Sequence, residues 1–198
     1  MRDPRPEHRE PRRVGGDGAP EVFCADEQSA VVVDVGRWRS LVLDVLADEG
    51  VRGWAELALL FVDEPTMAEL NGRYMETQGP TDVLAFPLDA VDSAPSPGPG
   101  ANSHSPERRP VDPSDHPLLL GDVVVCPSVA IRQASSHAGT ADDEMALLVV
   151  HGVLHVLGMH HDTPDATSAM QRREREHLER HHWRGPAPTT FRHVPERT

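Results

Sequence analysis

At 198 residues the chain has the length of one domain with tails, since a domain commonly takes roughly 100 to 200 residues. Its formal charge is -13 and all its cationic side chains are arginine, which argues against broad, nonspecific nucleic-acid binding while leaving room for a local basic patch. The hydrophobic share is 38%, the aromatic share only 4%, with 19 prolines and 15 glycines, so a core of Val, Leu and Ala is expected beside irregular stretches.

Residues 1–27 mix Arg, Glu, Pro and Gly without apolar periodicity and read as a disordered extension. No apolar run follows the charged N-terminus, as a secretory leader would require, and no stretch approaches the roughly 20 apolar residues of a membrane-spanning helix. A cytoplasmic protein is expected. Cys24 and Cys126 lie far apart with no CxxC pair, so both are read as reduced thiols.

The β-branched run Ala30 to Val35 predicts a first strand, and Trp38 to Glu49 a helix that ends at Gly50. Trp54 to Val62 predicts a second strand. Asp63 can then cap a helix from Pro65 to Met75, with proline at an early helical position. Val83 to Phe86 is a short strand closed by Pro87, which places it near an edge or a site. Residues 92–117 are crowded with Pro, Ser, Gly and Asp and read as a long loop. Leu118 to Val125 returns to strand character, with Gly121 as a bulge.

Helices are expected from Pro127 to Ala138, from Asp142 to Gly158, and from Pro164 to Arg180, with a frayed tail over 183–198. The expected class is therefore α+β: a small mixed sheet of about four strands packed with helices, in one domain over 28–182.

The segment HGVLHVLGMHHD concentrates the chemistry. His151 and His155 are four residues apart on a predicted helix, so both imidazoles leave one face. Gly158 lets the helix end and the chain turn back. His161, three residues on, completes three neutral nitrogen ligands for one zinc ion, at about 2.0 to 2.1 Å each, with a fourth position left for water; such an open site is catalytic in type. His160 competes with His161 for the third place, and spacing does not separate them. Zinc proteases share the layout but need a glutamate beside the first histidine as general base; here that position is Gly152. Asp82 is the best candidate for a nearby carboxylate, orienting a histidine or taking a proton, with Asp162 second. Arg73 and the run Arg172, Arg173, Arg175 are the candidate cationic contacts.

With HGVLHVLGMHH at 151–161, PTDVLAFP at 80–87, LN at 70–71 and LGDVVVCP at 120–127, the chain resembles the YbeY family of bacterial metallo-endoribonucleases over about 35–180. The resemblance implies one zinc ion on His151, His155 and His161 and cleavage of single-stranded RNA. It further implies action on the 16S rRNA precursor in 3′-end maturation and ribosome quality control, with the ribosome or its small subunit as partner, and no DNA or membrane. Two departures from the family stand out: Met159 and His160 replace a usual Tyr-Asp pair, and Met75, after Tyr74, stands where an arginine is usual, while Arg73, before Tyr74, points elsewhere on the helix and does not replace it. The alternatives are a non-catalytic zinc-containing ribosome-assembly factor and a metallopeptidase.

Overall fold

The computed structural model describes residues 18–88 and 117–193. The loop expected over 92–117 thus falls, all but Pro117, outside the described residues. Its strands are β1 (Glu21–Asp26), β2 (Ala55–Phe61), β3 (Val83–Pro87) and β4 (Leu118–Val125). Its helices are α1 (Val35–Asp48), α2 (Glu64–Tyr74), α3 (Pro127–Gln133), α4 (Ala141–Val156) and α5 (Pro164–His177), the last continued by a π turn over Leu178–His182. The strands form one sheet in the order β1-β2-β4-β3, with β1, β2 and β4 parallel and β3 antiparallel to β4. This is the expected α+β class with a mixed four-stranded sheet.

The first strand corrects the sequence expectation. It lies at Glu21–Asp26, inside the segment read as an extension, and the run at 30–35 is not a strand. Asp34 caps α1 instead, its carboxylate accepting from the Arg37 amide at 3.0 Å, so Val35 is already helical and Val32 is fully exposed. The ordered domain therefore begins before residue 28. The far end is corrected likewise. Phe191 is 7% exposed and meets Trp183 edge to face, with centroids 4.7 Å apart, so residues 183–193 pack on the domain.

Two apolar layers flank the sheet. On one side α1, α4 and α5 bury Leu46, Val150, Leu154 and Met170 against Leu57, Leu59 and Val123; on the other, Met67 of α2 and Val129 of α3 pack on Val62, Leu84 and Val124. Helix α4 lies in the centre, with Met145 to Val150 buried without a break. At the β2/β4 pair the register shifts beside Leu57 and Gly121, the bulge the sequence suggested. Gly121 has φ 140°, and a Cβ there would lie 2.3 Å from the Phe86 carbonyl oxygen. Only glycine lets β3 approach this closely, and β3 forms a wall of the site.

Candidate metal centre

His151 and His155 occupy the last turns of α4, and their Nε2 atoms are 3.0 Å apart. The helix stops in a Schellman arrangement: the Gly158 amide donates to the His155 carbonyl at 2.8 Å and the Met159 amide to the Leu154 carbonyl at 2.9 Å. Gly158 has φ 83°, the left-handed conformation this stop requires. The chain then turns back and brings in His161, so that one ligand atom from each of His151, His155 and His161 lies within 4.8 Å of the others. The turn is held by the Thr167 hydroxyl, which donates to the His161 carbonyl at 3.1 Å and engages the Thr163 carbonyl at 3.0 Å. His160 lies outside this set; its ring is 6.1 Å from that of His155.

A fourth residue supports the histidines, and the sequence reading missed it. Glu174 of α5 is 4% exposed and accepts hydrogen bonds from His151 Nδ1 at 2.7 Å and His193 Nδ1 at 3.2 Å. Burial raises its pKa, but the two imidazole hydrogen bonds outweigh that and bring it down to about 2. The carboxylate thereby fixes the tautomer: His151 carries its proton on Nδ1 and turns a bare Nε2 towards the other rings. For His155, burial and then the charges of His151 and His161 press the pKa down to about 4, so this ring is neutral at pH 7. Neutral imidazoles with converging nitrogens and a carboxylate behind one of them suit a transition-metal ion of the zinc class.

The signal for Glu174 was present. Met170, Glu174, His177 and Leu178 are spaced four, three and one apart and are all buried, which is the apolar face of α5; a glutamate on that face needs a buried partner.

His151 and His155 of the triad open into a groove of about 290 Å³. His151, Gly152, His155 and His160 line one side; Val83, Leu84, Ala85 and Pro87 of β3 line another, with Met75 at the end of α2. Tyr74 packs edge to face on Phe86, with centroids 5.0 Å apart, and the Arg73 guanidinium lies over the Tyr74 ring at 5.3 Å. Arg73 thus relates to the groove only through Tyr74, which precedes the groove residue Met75.

Asp82 has a different setting from the one expected for a partner of the histidines. Its carboxylate accepts from Gln133, from the Thr81 hydroxyl at 3.0 Å and from the Val83 amide at 2.9 Å. Gln133 also reaches Glu144 at 2.9 Å, so the chain Asp82–Gln133–Glu144 ties the start of β3 to the start of α4. Asp162 is exposed. The arginine run on α5 is divided. Arg173 is engaged with Glu49 and Glu176, Arg175 lies 5.7 Å over the Phe191 ring, and Arg172 is exposed.

Gly152 decides between two readings of the layout. A Cβ there would lie 2.5 Å from Val123 Cγ1 and 3.4 Å from Val83 Cγ2. The position faces the sheet, and the glutamate of a zinc protease has no room on it.

Over residues 23–182 the chain matches the family profile described as Endoribonuclease YbeY. Proteins named Endoribonuclease YbeY are similar to it in several bacteria. That of Beutenbergia cavernae is 41% identical, with 72% of this chain and 85% of the relative covered. That of Salinispora tropica is 43% identical over the same shares, and that of Acidothermus cellulolyticus is 42% identical over 72% of this chain and 80% of the relative.

Proposed function

The chain belongs to the family of YbeY endoribonucleases, metal-dependent hydrolases of RNA, and from that premise we propose that it is a zinc enzyme cutting single-stranded RNA. We assign His151, His155 and His161 as the metal ligands. The convergence of these three rings, two of them on the wall of an open groove, with Glu174 behind His151, carries the reading.

When bound, zinc supplies charge for the phosphoryl oxygen and acidifies water. The rest of the work falls to the chain. Glu174 holds His151 in the tautomer that binds, and the Schellman stop of α4 brings His161 to the other two. Met75, Val83, Ala85 and Pro87 give the groove an apolar wall that accepts the face of an unstacked base, which a single strand offers and a duplex does not. Arg73, beside Tyr74, is assigned to a phosphate of the strand. Asp82 is assigned a positioning role, holding β3 against α4 through Gln133.

The substrate proposed is the 16S rRNA precursor, in 3′-end maturation and ribosome quality control, in the cytoplasm and with the small subunit as partner. A charge of -13 supports this reading, because a protein with so little general affinity for phosphate needs a partner to bring it to its RNA. Among the described residues no helix is long and apolar enough to cross a membrane.

The test is cleavage of single-stranded and duplex RNA by native protein and by His155→Ala, both assayed for zinc by elemental analysis. Cleavage of the single strand alone, lost from a folded His155→Ala protein together with metal, is the expected result. Zinc bound without cleavage, on free RNA and on small subunits alike, would overturn the enzymatic reading in favour of an assembly factor.

A further inference from the structure

Outside the triad, one other group of metal-ligating side chains comes together among the described residues: Asp48, His177 and His181, with ligand atoms within 4.8 Å of one another. Asp48 ends α1, His177 ends α5 and His181 lies in the π turn. The two histidines have the same four-residue spacing as His151 and His155.

His177 is the informative member. It is 1% exposed, and its Nε2 meets the Glu49 carboxylate at 2.7 Å. A carboxylate can only accept, so Nε2 carries a proton, and in the neutral ring Nδ1 is then a bare lone pair. That Nδ1 is buried and has no hydrogen-bond partner. It faces Asp48 Oδ2 across 3.7 Å, too far for a hydrogen bond. Asp48 Oδ2 already pairs with Arg180 and His181, but towards the buried Nδ1 lone pair it presents a second electron-rich atom, and a positive charge between the two would relieve their repulsion.

The spacing suits a metal ion. With metal–nitrogen and metal–oxygen bonds of about 2.1 Å, ligand atoms in a tetrahedral site are about 3.4 Å apart, and 3.7 Å corresponds to an angle of about 120°. His181 Nε2 is 2.8 Å from the same Asp48 oxygen, and its Nδ1 is 3.6 Å from Asp44. Moving the proton of that ring from Nε2 to Nδ1 frees Nε2 as a ligand and directs the N–H to Asp44. His177 has a carboxylate hydrogen-bonded behind it, Glu49, as metal-bound histidines commonly do, while the exposed Asp44 lies 3.6 Å from His181 Nδ1 and would have to close in to do the same. Arg180 also pairs with Asp48, but its side chain is 57% exposed and can turn into water at little cost.

From this geometry we propose that Asp48, His177 and His181 form a second metal site, binding a divalent ion of the zinc class and joining the end of α1 to the end of α5. Two imidazoles and one carboxylate select zinc, cobalt, nickel or copper over magnesium or calcium. The competing arrangement is an ion-pair cluster with no metal, in which a proton on His177 supplies the positive charge.

The experiment uses the full chain with His151→Ala and His155→Ala, so that the triad no longer binds. After dialysis against zinc, elemental analysis is expected to find about one equivalent, and cobalt in its place is expected to give the visible absorption of a site of low coordination number. Both signals are expected to vanish on adding Asp48→Asn or His181→Gln, with the far-ultraviolet circular dichroism unchanged. No uptake above buffer, or an equivalent that survives both added substitutions, would overturn the proposal and leave an ion-pair cluster. Should the double background fail to fold, the native chain against Asp48→Asn gives the same decision: a fall from about two equivalents to one supports the site, and one equivalent in both overturns it.

Discussion

The two histidine clusters use nearly the same parts and differ in their surroundings. His151, His155 and His161 are each half-buried, and the first two open into a groove. In the second cluster His177 is sealed at 1% exposed, and Asp48 and His181 lie partly buried beneath the exposed side chains of Asp44 and Arg180. A catalytic ion needs a coordination position that water and substrate can reach, whereas a structural ion is enclosed. The contrast teaches that ligand type and spacing mark where a metal can bind, and access decides what it can do there.

The largest expected effect would break the contrast if it failed. His151→Ala is expected to lower RNA cleavage by about a thousandfold or more, equivalent to about 4 kcal/mol of barrier, while His181→Gln leaves the rate within about threefold. Single-turnover cleavage of one RNA by both proteins at equal zinc makes the comparison, and equal losses would mean that the sealed cluster serves the reaction. Next in size, Glu174→Gln is expected to weaken zinc at the triad about 10- to 100-fold, read by competition with a chromophoric chelator. Unchanged affinity would show that the carboxylate anchors only His193.

Gly152→Ala sharpens the contrast on the open side, because this residue seats the histidine-bearing turn of α4 on the sheet. The added methyl meets Val123, and a loss of about 1 to 3 kcal/mol is expected in urea unfolding, against the gain of up to about 1 kcal/mol that alanine brings to a helix. A stabilised variant would mean that α4 can lift from β4 freely.

Asp143→Asn probes the closed side and has the smallest expected effect, about 1 to 2 kcal/mol. The Asp143 carboxylate accepts from Thr140 at 2.7 Å, from Trp183 at 2.6 Å, and binds His182 Nε2 at 2.8 Å, so it ties the π turn to the start of α4. Burial pulls its pKa up, but those hydrogen bonds prevail and hold it below the usual carboxylate value. A depressed folded-state pKa adds stability above the unfolded-state value, near about 4, and loses it as pH falls through the folded one. The difference between native and Asp143→Asn proteins in urea should therefore be full at neutral pH and shrink in acid. A difference that grew in acid would reverse the assignment.

What the sequence made legible was local. The triad spans eleven residues, so helical periodicity and one glycine were enough to assemble it. The pairs β2/α2 and β4/α3 were readable for the same reason: each strand is apolar on both faces, and each helix carries its own cap or early proline. Contacts across long separations were hidden. Glu174 is 23 residues from His151, and Asp48 is more than 120 residues from His177, so no window holds either pair. The misplaced first strand has another cause. The run at 30–35 is more apolar than EVFCAD, but β1 is an edge strand with only Val22 fully buried, and pairing with β2 outweighs composition. Trp183 and Phe191 were the overlooked hint at the other end, since a chain with only three Trp and four Phe seldom leaves two of them in a frayed tail.

The packing of Gly152 on Val123 also bears on descent. A protease layout and this one differ at a single codon position beside the first histidine, so the two chemistries look like neighbours in sequence space. With β4 against the helix, a glutamate at 152 costs the fold before it can serve as a base. On this geometry a glutamate at 152 calls for a compensating change at 123, and a smaller residue there, without the glutamate, leaves a cavity in the core.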